Sequence, residues 1–290
     1  MFFSNEHVCV YGITGRYGSY HTKKMIEYGT KIVCGVSKNP DIKEIYGVPI
    51  YNTLERYKEK HKEMNVETAI FFVPAPHVLE AFMDAYKNGV KKYVIITEHV
   101  PIHDALKIVS IVKENEAKDQ LTVVGPNCPG VIFPKEKVKL GIMPEKYFND
   151  GEIAIISRSG TLMYEVAKHV SDKYGISIGI GLGGDPIIGT NVSEAFENLS
   201  KLGFEKVILI GEIGGEDEVN GVQRALKLGF KPDNIVCFFA GRHAPEGKRM
   251  GHAGAIVEGE HGTISYKESK MKEFGVRVVR FPWEVKDIFD

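Results

Sequence analysis

The chain has 290 residues, enough for two domains of ordinary size, and its 43% hydrophobic and 26% charged residues describe a globular protein with a real core. A formal net charge of −1 gives no long-range field toward nucleic acid or an anionic membrane. Four scattered cysteines with no C-x-x-C pair argue against a disulfide framework and against a metal site built on thiolates.

The first half alternates short apolar, β-branched runs with amphipathic stretches. Strands are predicted at Val8–Tyr11, Lys31–Val36, Thr68–Val73, Tyr93–Ile96 and Thr122–Val124, and helices near Ser19–Tyr28, His77–Asn88 and His103–Glu116. A strand so close to Met1 leaves no room for a signal peptide, and no apolar run is long enough to span a bilayer, so a cytoplasmic location is expected. Between 126 and 149 the rhythm breaks, because Pro126, Pro129, Pro134 and Pro144 exclude a regular helix; the stretch reads as a linker and hairpin. A second series follows, with strands at Glu152–Ile156, Ile176–Ile180, Lys206–Ile210, Asn234–Phe239 and Val276–Val279. Its helices are predicted at Thr161–Lys173, Val192–Lys201, Asp217–Leu228 and Tyr266–Phe274. Such alternation implies βαβ units. The expected fold is therefore α/β, as two tandem doubly wound domains over 1–125 and 150–290. Ligands in such sheets sit beyond the carboxyl ends of the strands, and every glycine-rich motif falls at one.

The first is Gly12-Ile-Thr-Gly15-Arg-Tyr-Gly18, which opens a helix after strand one. Its glycines let a diphosphate approach the backbone, and the helix start supplies amide donors; a tight turn with no ligand would look the same. A nicotinamide nucleotide calls for an acid at the end of strand two, yet the sequence there is Val36-Ser37-Lys38-Asn39, and Lys38 suits an extra phosphate better than a ribose diol. Pro74 and Pro76 after strand three, and Thr97-Glu98-His99-Val100-Pro101 after strand four, either wall a flat ligand or merely shape turns. Cys128 in Gly125-Pro-Asn-Cys-Pro-Gly130 has no activating histidine nearby, and a structural role is preferred over a nucleophile.

In the second half Ser157-Arg-Ser-Gly-Thr161 joins a strand to a helix. Hydroxyls at Ser157, Ser159 and Thr161 around Gly160 exceed what N-capping needs, and point to an anion pocket. Gly183-Gly-Asp185 and Gly211-Glu-Ile-Gly-Gly215 also follow strands, and Glu212 is a lone carboxylate among glycines. His252 lies in Gly247-Lys-Arg-Met-Gly-His-Ala-Gly-Ala255. Small neighbours leave its ring accessible, Lys248 and Arg249 favour a phosphoryl group, and a neutral imidazole held by a glutamate is a nucleophile near neutral pH. The segment mimics a nucleotide-binding P-loop, but Gly241 and Gly247 are one residue too far apart and Arg249 stands where Ser or Thr is required.

These motifs, in this order, resemble the α subunit of succinyl-CoA synthetase and its nucleoside-diphosphate-forming acyl-CoA synthetase relatives, from about Val8 to the C-terminus. The resemblance implies a Rossmann-like CoA-binding domain followed by a flavodoxin-like ligase domain. It implies a phosphohistidine at His252 steadied by Glu212. CoA contacts are implied at Thr14, Gly15, Arg16, Tyr17, Ile96, Thr97 and Glu98, and the organic acid near Tyr164; Lys38 and Pro74 join them as candidate contacts from the residue reading above. In the family the lysine after strand two sits in a Thr-Pro-Gly-Lys-Gly-Gly run; here Lys38 comes earlier. The implied partner is a β subunit with an ATP-grasp domain that binds ATP or GTP with Mg2+, in a heterodimer or heterotetramer. The substrate is a small carboxylic acid, succinate or, for a citryl-CoA synthetase small subunit, citrate. No metal site is expected on this chain itself. Two rivals of other classes are a CoA- or nucleotide-sensing module without catalysis and a nicotinamide-dependent oxidoreductase.

Overall fold

A computed structural model describes residues 3–39, 41–119, 121–245, 247, 250–257 and 259–289, with the side chains of 116–119 and 260 left aside. The first sheet is built from β1 (Val8–Tyr11), α1 (Arg16–Tyr28), β2 (Ile32–Val36), β3 (Glu44–Ile45), β4 (Val48–Tyr51) and α2 (Leu54–Lys60). It continues through β5 (Thr68–Phe71), α3 (Val78–Lys87), β6 (Lys92–Ile95), α4 (Ile102–Asp119) and β7 (Thr122–Val124). Strands β1 and β5 are buried along their whole length, which is why they read as unbroken apolar runs rather than alternating ones. The order β3-β4-β2-β1-β5-β6-β7 is the Rossmann arrangement with a short antiparallel strand added at one edge.

The second sheet takes β8 (Gly130–Phe133), β9 (Val138–Gly141), β10 (Ile153–Ser157), α5 (Gly160–Tyr174), β11 (Ile176–Gly181) and α6 (Val192–Lys201). It closes with β12 (Lys206–Gly211), α7 (Asp217–Lys227), β13 (Ile235–Phe239), α8 (Ile264–Glu273) and β14 (Arg277–Val279). Its order is β14-β13-β12-β10-β11-β8-β9, so the five parallel strands follow the flavodoxin pattern. The sequence expectation is corrected at one point. The hairpin β8–β9 is not part of a linker between 126 and 149: β8 pairs antiparallel with β11 and extends the second sheet. Val131, Ile132, Val138 and Leu140 are buried there, and the apolar gain of completing that edge explains the annexation.

The two units are joined by packing as well as by chain. Helix α1 lies on β9, where Thr30 Oγ1 donates to Lys139 O at 2.9 Å, and Thr190 Oγ1 donates to Val123 O at 2.6 Å. Gly125 N–H donates to Leu182 O, and Gly189 N–H donates to Gly125 O. The turn after β7 is thereby tied to the loop after β11. Both are strand ends where ligands are expected.

Candidate active site

Two groups of loops emerge, one at the carboxyl edge of each sheet. In the first, Gly15 is the N-cap of α1 and offers no side-chain cap, so the first-turn amides are open to an anion. The loop must be glycine at position 18, because a Cβ there would lie 2.1 Å from the carbonyl oxygen of Gly12. Arg16 and Tyr17 are exposed beside it. Thr14 and Ser37 share a hydroxyl–hydroxyl hydrogen bond of 2.6 Å, which couples the loop to the end of β2. Lys38 stands exposed and paired with Glu80 at 2.7 and 2.9 Å. Thr97 Oγ1 donates to Val73 O at 2.6 Å, bringing the turn at Ile96, Thr97 and Glu98 against the one that carries Pro74.

In the second group His252 and Glu212 meet. The ring Nδ1 lies 2.7 Å from Glu212 Oε2, and the carboxylate is nearly buried at 7% exposure. Because a carboxylate only accepts, the neutral imidazole must donate through Nδ1–H, leaving the Nε2 lone pair free. The hydrogen bond to Glu212 raises the imidazole above its ordinary value near 6.5; partial burial and the Arg158 guanidinium oppose that rise. Glu212 Oε1 is buried without a hydrogen-bond partner among the described residues, and Arg158 Nε stands 3.5 Å from it. Arg158 also donates from Nη2 to Asp185 O at 3.2 Å, which fixes the guanidinium between the two glycine loops. Gly184 supports the ring from below: a Cβ at that residue would sit 2.4 Å from His252 Cγ.

The hydroxyl set expected at Ser157–Thr161 divides into three roles. Ser157 is fully buried and spends its hydroxyl on the neighbouring backbone, donating to Ser159 O and accepting from Ser159 N–H. Ser157 therefore has no hydroxyl to offer an anion. Ser159 caps α5 through Leu162 N–H, and Thr161 is exposed beside Gly160 at the helix start. Tyr164, one turn into α5, keeps a buried hydroxyl with no hydrogen-bond partner among the described residues; burial pushes its ionisation far up. Burial likewise pushes the Cys128 thiol up to about 12, and Sγ donates to Ile95 O, so it is no nucleophile. Lys248 and Arg249 lie outside the described residues.

Asn127 connects the two groups. Its N–H donates to Thr97 O, its carbonyl accepts from Gly184 N–H, and its side-chain amide donates to Asp185 Oδ1 at 3.0 Å. Asn127, Arg158, Gly184 and Asp185 carried no individual signal in the sequence. The motifs that contain them did, since each sits in a glycine-rich strand end. Among the described residues no cluster of three histidine, cysteine or acidic side chains could hold a metal ion, and no helix is long and apolar enough to cross a membrane.

Comparison with known proteins agrees with this division. Residues 3–99 match the CoA binding domain family and residues 156–277 the CoA-ligase family. The chain is 44% identical over 286 residues to a protein named succinate–CoA ligase [ADP-forming] subunit alpha 2 of Archaeoglobus fulgidus, covering 97% of this chain and 95% of that one. The corresponding α subunit of Methanothermobacter thermautotrophicus is 44% identical over 282 residues, covering 96% and 92%. Among solved structures, an ATP citrate lyase from Methanothrix soehngenii in complex with citrate and coenzyme A superposes with a TM-score of 0.83 at 21% identity, over the whole of this chain and half the length of that one. That likeness is one of fold.

Proposed function

The chain belongs to the family of succinate–CoA ligase α subunits, and on that premise we propose that it is the phosphoryl-relaying, CoA-binding half of such a ligase, with His252 as the group that reacts. The observation that carries this reading is the 2.7 Å bond between His252 Nδ1 and Glu212, which leaves Nε2 as a free nucleophile on an accessible ring.

In this reading a nucleoside triphosphate, ATP or GTP with Mg2+, is held by a partner β subunit of ATP-grasp type. His252 Nε2 attacks its terminal phosphorus, the bond from that phosphorus to the bridging oxygen breaks and the nucleoside diphosphate leaves, while Glu212 balances the charge that develops on the ring. The amides at the start of α5, with Ser159, Gly160 and Thr161, cradle the phosphoryl group. A carboxylate oxygen of the acid then takes that phosphoryl group from Nε2, giving an acyl phosphate. Attack by the CoA sulfur on the acyl carbon releases inorganic phosphate and forms the thioester. Residues 1–125 present CoA through Thr14, Gly15, Arg16, Tyr17, Lys38, Pro74, Ile96, Thr97 and Glu98. Open amides at α1 and two cations nearby suit its phosphates. Residues 150–290 carry the relay, and Tyr164, whose hydroxyl has no hydrogen-bond partner among the described residues, faces the acid. Succinate is the acid favoured by the sequence relatives; citrate has only the fold likeness behind it.

The test is to mix the chain with its β partner and nucleoside triphosphate labelled on the terminal phosphate. Acid-labile, alkali-stable label is expected on the wild type and none on His252→Asn. Absence of such label on the wild type, or its presence on the variant, refutes the reading. Succinate, not citrate, is expected to give CoA-dependent release of the label.

A further inference from the structure

The interior of the second unit holds an ion pair that the relay chemistry does not use. Lys267 on α8 and Glu218 on α7 are both fully buried, with Nζ 2.5 Å from Oε2. As a contribution to folding such a pair is a poor choice, because two well-packed apolar residues commonly do as well or better. Its hydrogen bonds show what it does instead. Lys267 Nζ donates to the carbonyl of Glu212 at 2.6 Å and to that of Gly214 at 2.9 Å, so with Glu218 all three ammonium protons are engaged. Glu218 Oε1 accepts from the N–H of Glu212 at 3.2 Å. The pair thus grips Glu212 at both its backbone donor and its backbone acceptor. The loop concerned leaves β12 and is rich in glycine.

The same loop is tied to the chain between His252 and α8, whose N-cap is Thr263: Gly214 N–H donates to Gly262 O at 2.9 Å. Resting on the relay reading above, we infer that Lys267 and Glu218 are positioning residues that lock the Glu212 backbone so that its carboxylate meets His252 Nδ1. They touch neither substrate nor the reacting nitrogen.

The experiment uses the full chain, alone and with its β partner, and compares the wild type with Lys267→Met/Glu218→Gln. Removing both charges avoids leaving one buried and unpaired. Lys270→Met, on the exposed face of α8, is the control. The His252 imidazole is followed by 15N NMR titration, and phosphohistidine formation is measured per folded molecule. In the double variant the imidazole titration is expected to move down toward that of Glu212→Gln, and labelling to slow about 100-fold, the scale of an ångström of misplacement, with KM for the nucleotide unchanged. Lys270→Met should match the wild type in both. A double variant that is folded, titrates and labels like the wild type overturns the inference, since a purely structural role changes only the melting temperature. If the double variant does not fold, Glu218→Asp alone decides: it keeps both charges of the pair but draws the carboxylate back from the Glu212 N–H, it is expected to slow labelling roughly tenfold, and a wild-type rate with a wild-type titration overturns the inference. A wild type that fails to label refutes the relay reading instead, while the titration still tests whether Lys267 places Glu212.

Discussion

His252 and Glu212 come from loops that leave different strands, forty residues apart in the chain, and yet share a 2.7 Å hydrogen bond at Nδ1. That bond sets a pH dependence whose sign can be worked out. Glu212 raises the imidazole above its ordinary value, Asp185 adds to the rise, and burial and Arg158 oppose it. Only the neutral ring has a lone pair on Nε2. Phosphorylation is therefore expected to fall as the pH drops through a midpoint above 6.5. The stabilising effect of the pair runs the opposite way: it is complete below the unfolded imidazole's pKa and is lost as pH rises through the raised folded value. In Glu212→Gln the acid limb of the rate profile should move down, and the plateau rate should fall on the order of 100-fold. An unmoved limb in that variant would mean that Glu212 does not set the imidazole's titration.

Gly184 tests the ring from the opposite face. Its backbone is open to any L-residue, so alanine introduces no local strain, only a methyl group 2.4 to 2.8 Å from three ring atoms of His252. The imidazole must move away. Gly184→Ala should bind CoA like the wild type in calorimetry but acquire label about 100-fold more slowly. A variant that labels normally would show that the loop, and not the ring's seat on Gly184, absorbs the added methyl group.

Much of this arrangement was legible in the sequence. Buried parallel strands announce themselves as apolar runs, which gave two doubly wound domains; the Rossmann and flavodoxin types came from the resemblance, and the strand orders agree with them. What escaped did so for local reasons. Strand β4 contains Pro49 and alternates buried with half-buried residues, and α2 is a seven-residue helix made mostly of charged side chains. The hairpin between 126 and 149 was expected, but its place at the edge of the second sheet was hidden by flanking prolines that look like a linker's. At the site, residue chemistry singled out His252 and Glu212, but their pairing came from resemblance, because nothing local in the chain marks a contact across forty positions. The Ser157 hydroxyl is turned onto the Ser159 backbone, a direction that cannot be read from its neighbours in the chain. Lys267 lies in Tyr-Lys-Glu-Ser-Lys-Met-Lys-Glu, a run that reads as a solvated face, although its side chain is fully buried.

Lys38 offers a test of the first unit's ligand. It is exposed and held by Glu80, at the end of β2 where a free ribose diol would call for an acid. If it faces the 3′-phosphate of CoA, Lys38→Ala should weaken CoA binding about fivefold, as suits an exposed ionic contact, and should leave dephospho-CoA binding unchanged. Equal losses for the two ligands would place Lys38 elsewhere on the molecule.

Asp217 carries a prediction about stability that is independent of any substrate. It sits at the first position of α7, next to Glu218, and accepts from Val192 N–H at 3.2 Å with both carboxylate oxygens. Burial, and then the neighbouring Glu218 carboxylate, push it up to about 6, against the pull of Arg158 and Lys267. A carboxyl raised in the folded state contributes stability that is fully present below its unfolded pKa of about 3.9 and is lost as pH rises through the folded value. At pH 7.5 the wild type therefore bears the full cost of a buried carboxylate. Asn at this position keeps an acceptor for Val192 N–H and carries no charge. Thermal melts of Asp217→Asn should show a gain on the order of 2 kcal/mol at pH 7.5 that shrinks toward zero by about pH 4, where both proteins are neutral at this position. A gain of the same size at both pH values would trace to packing rather than to charge.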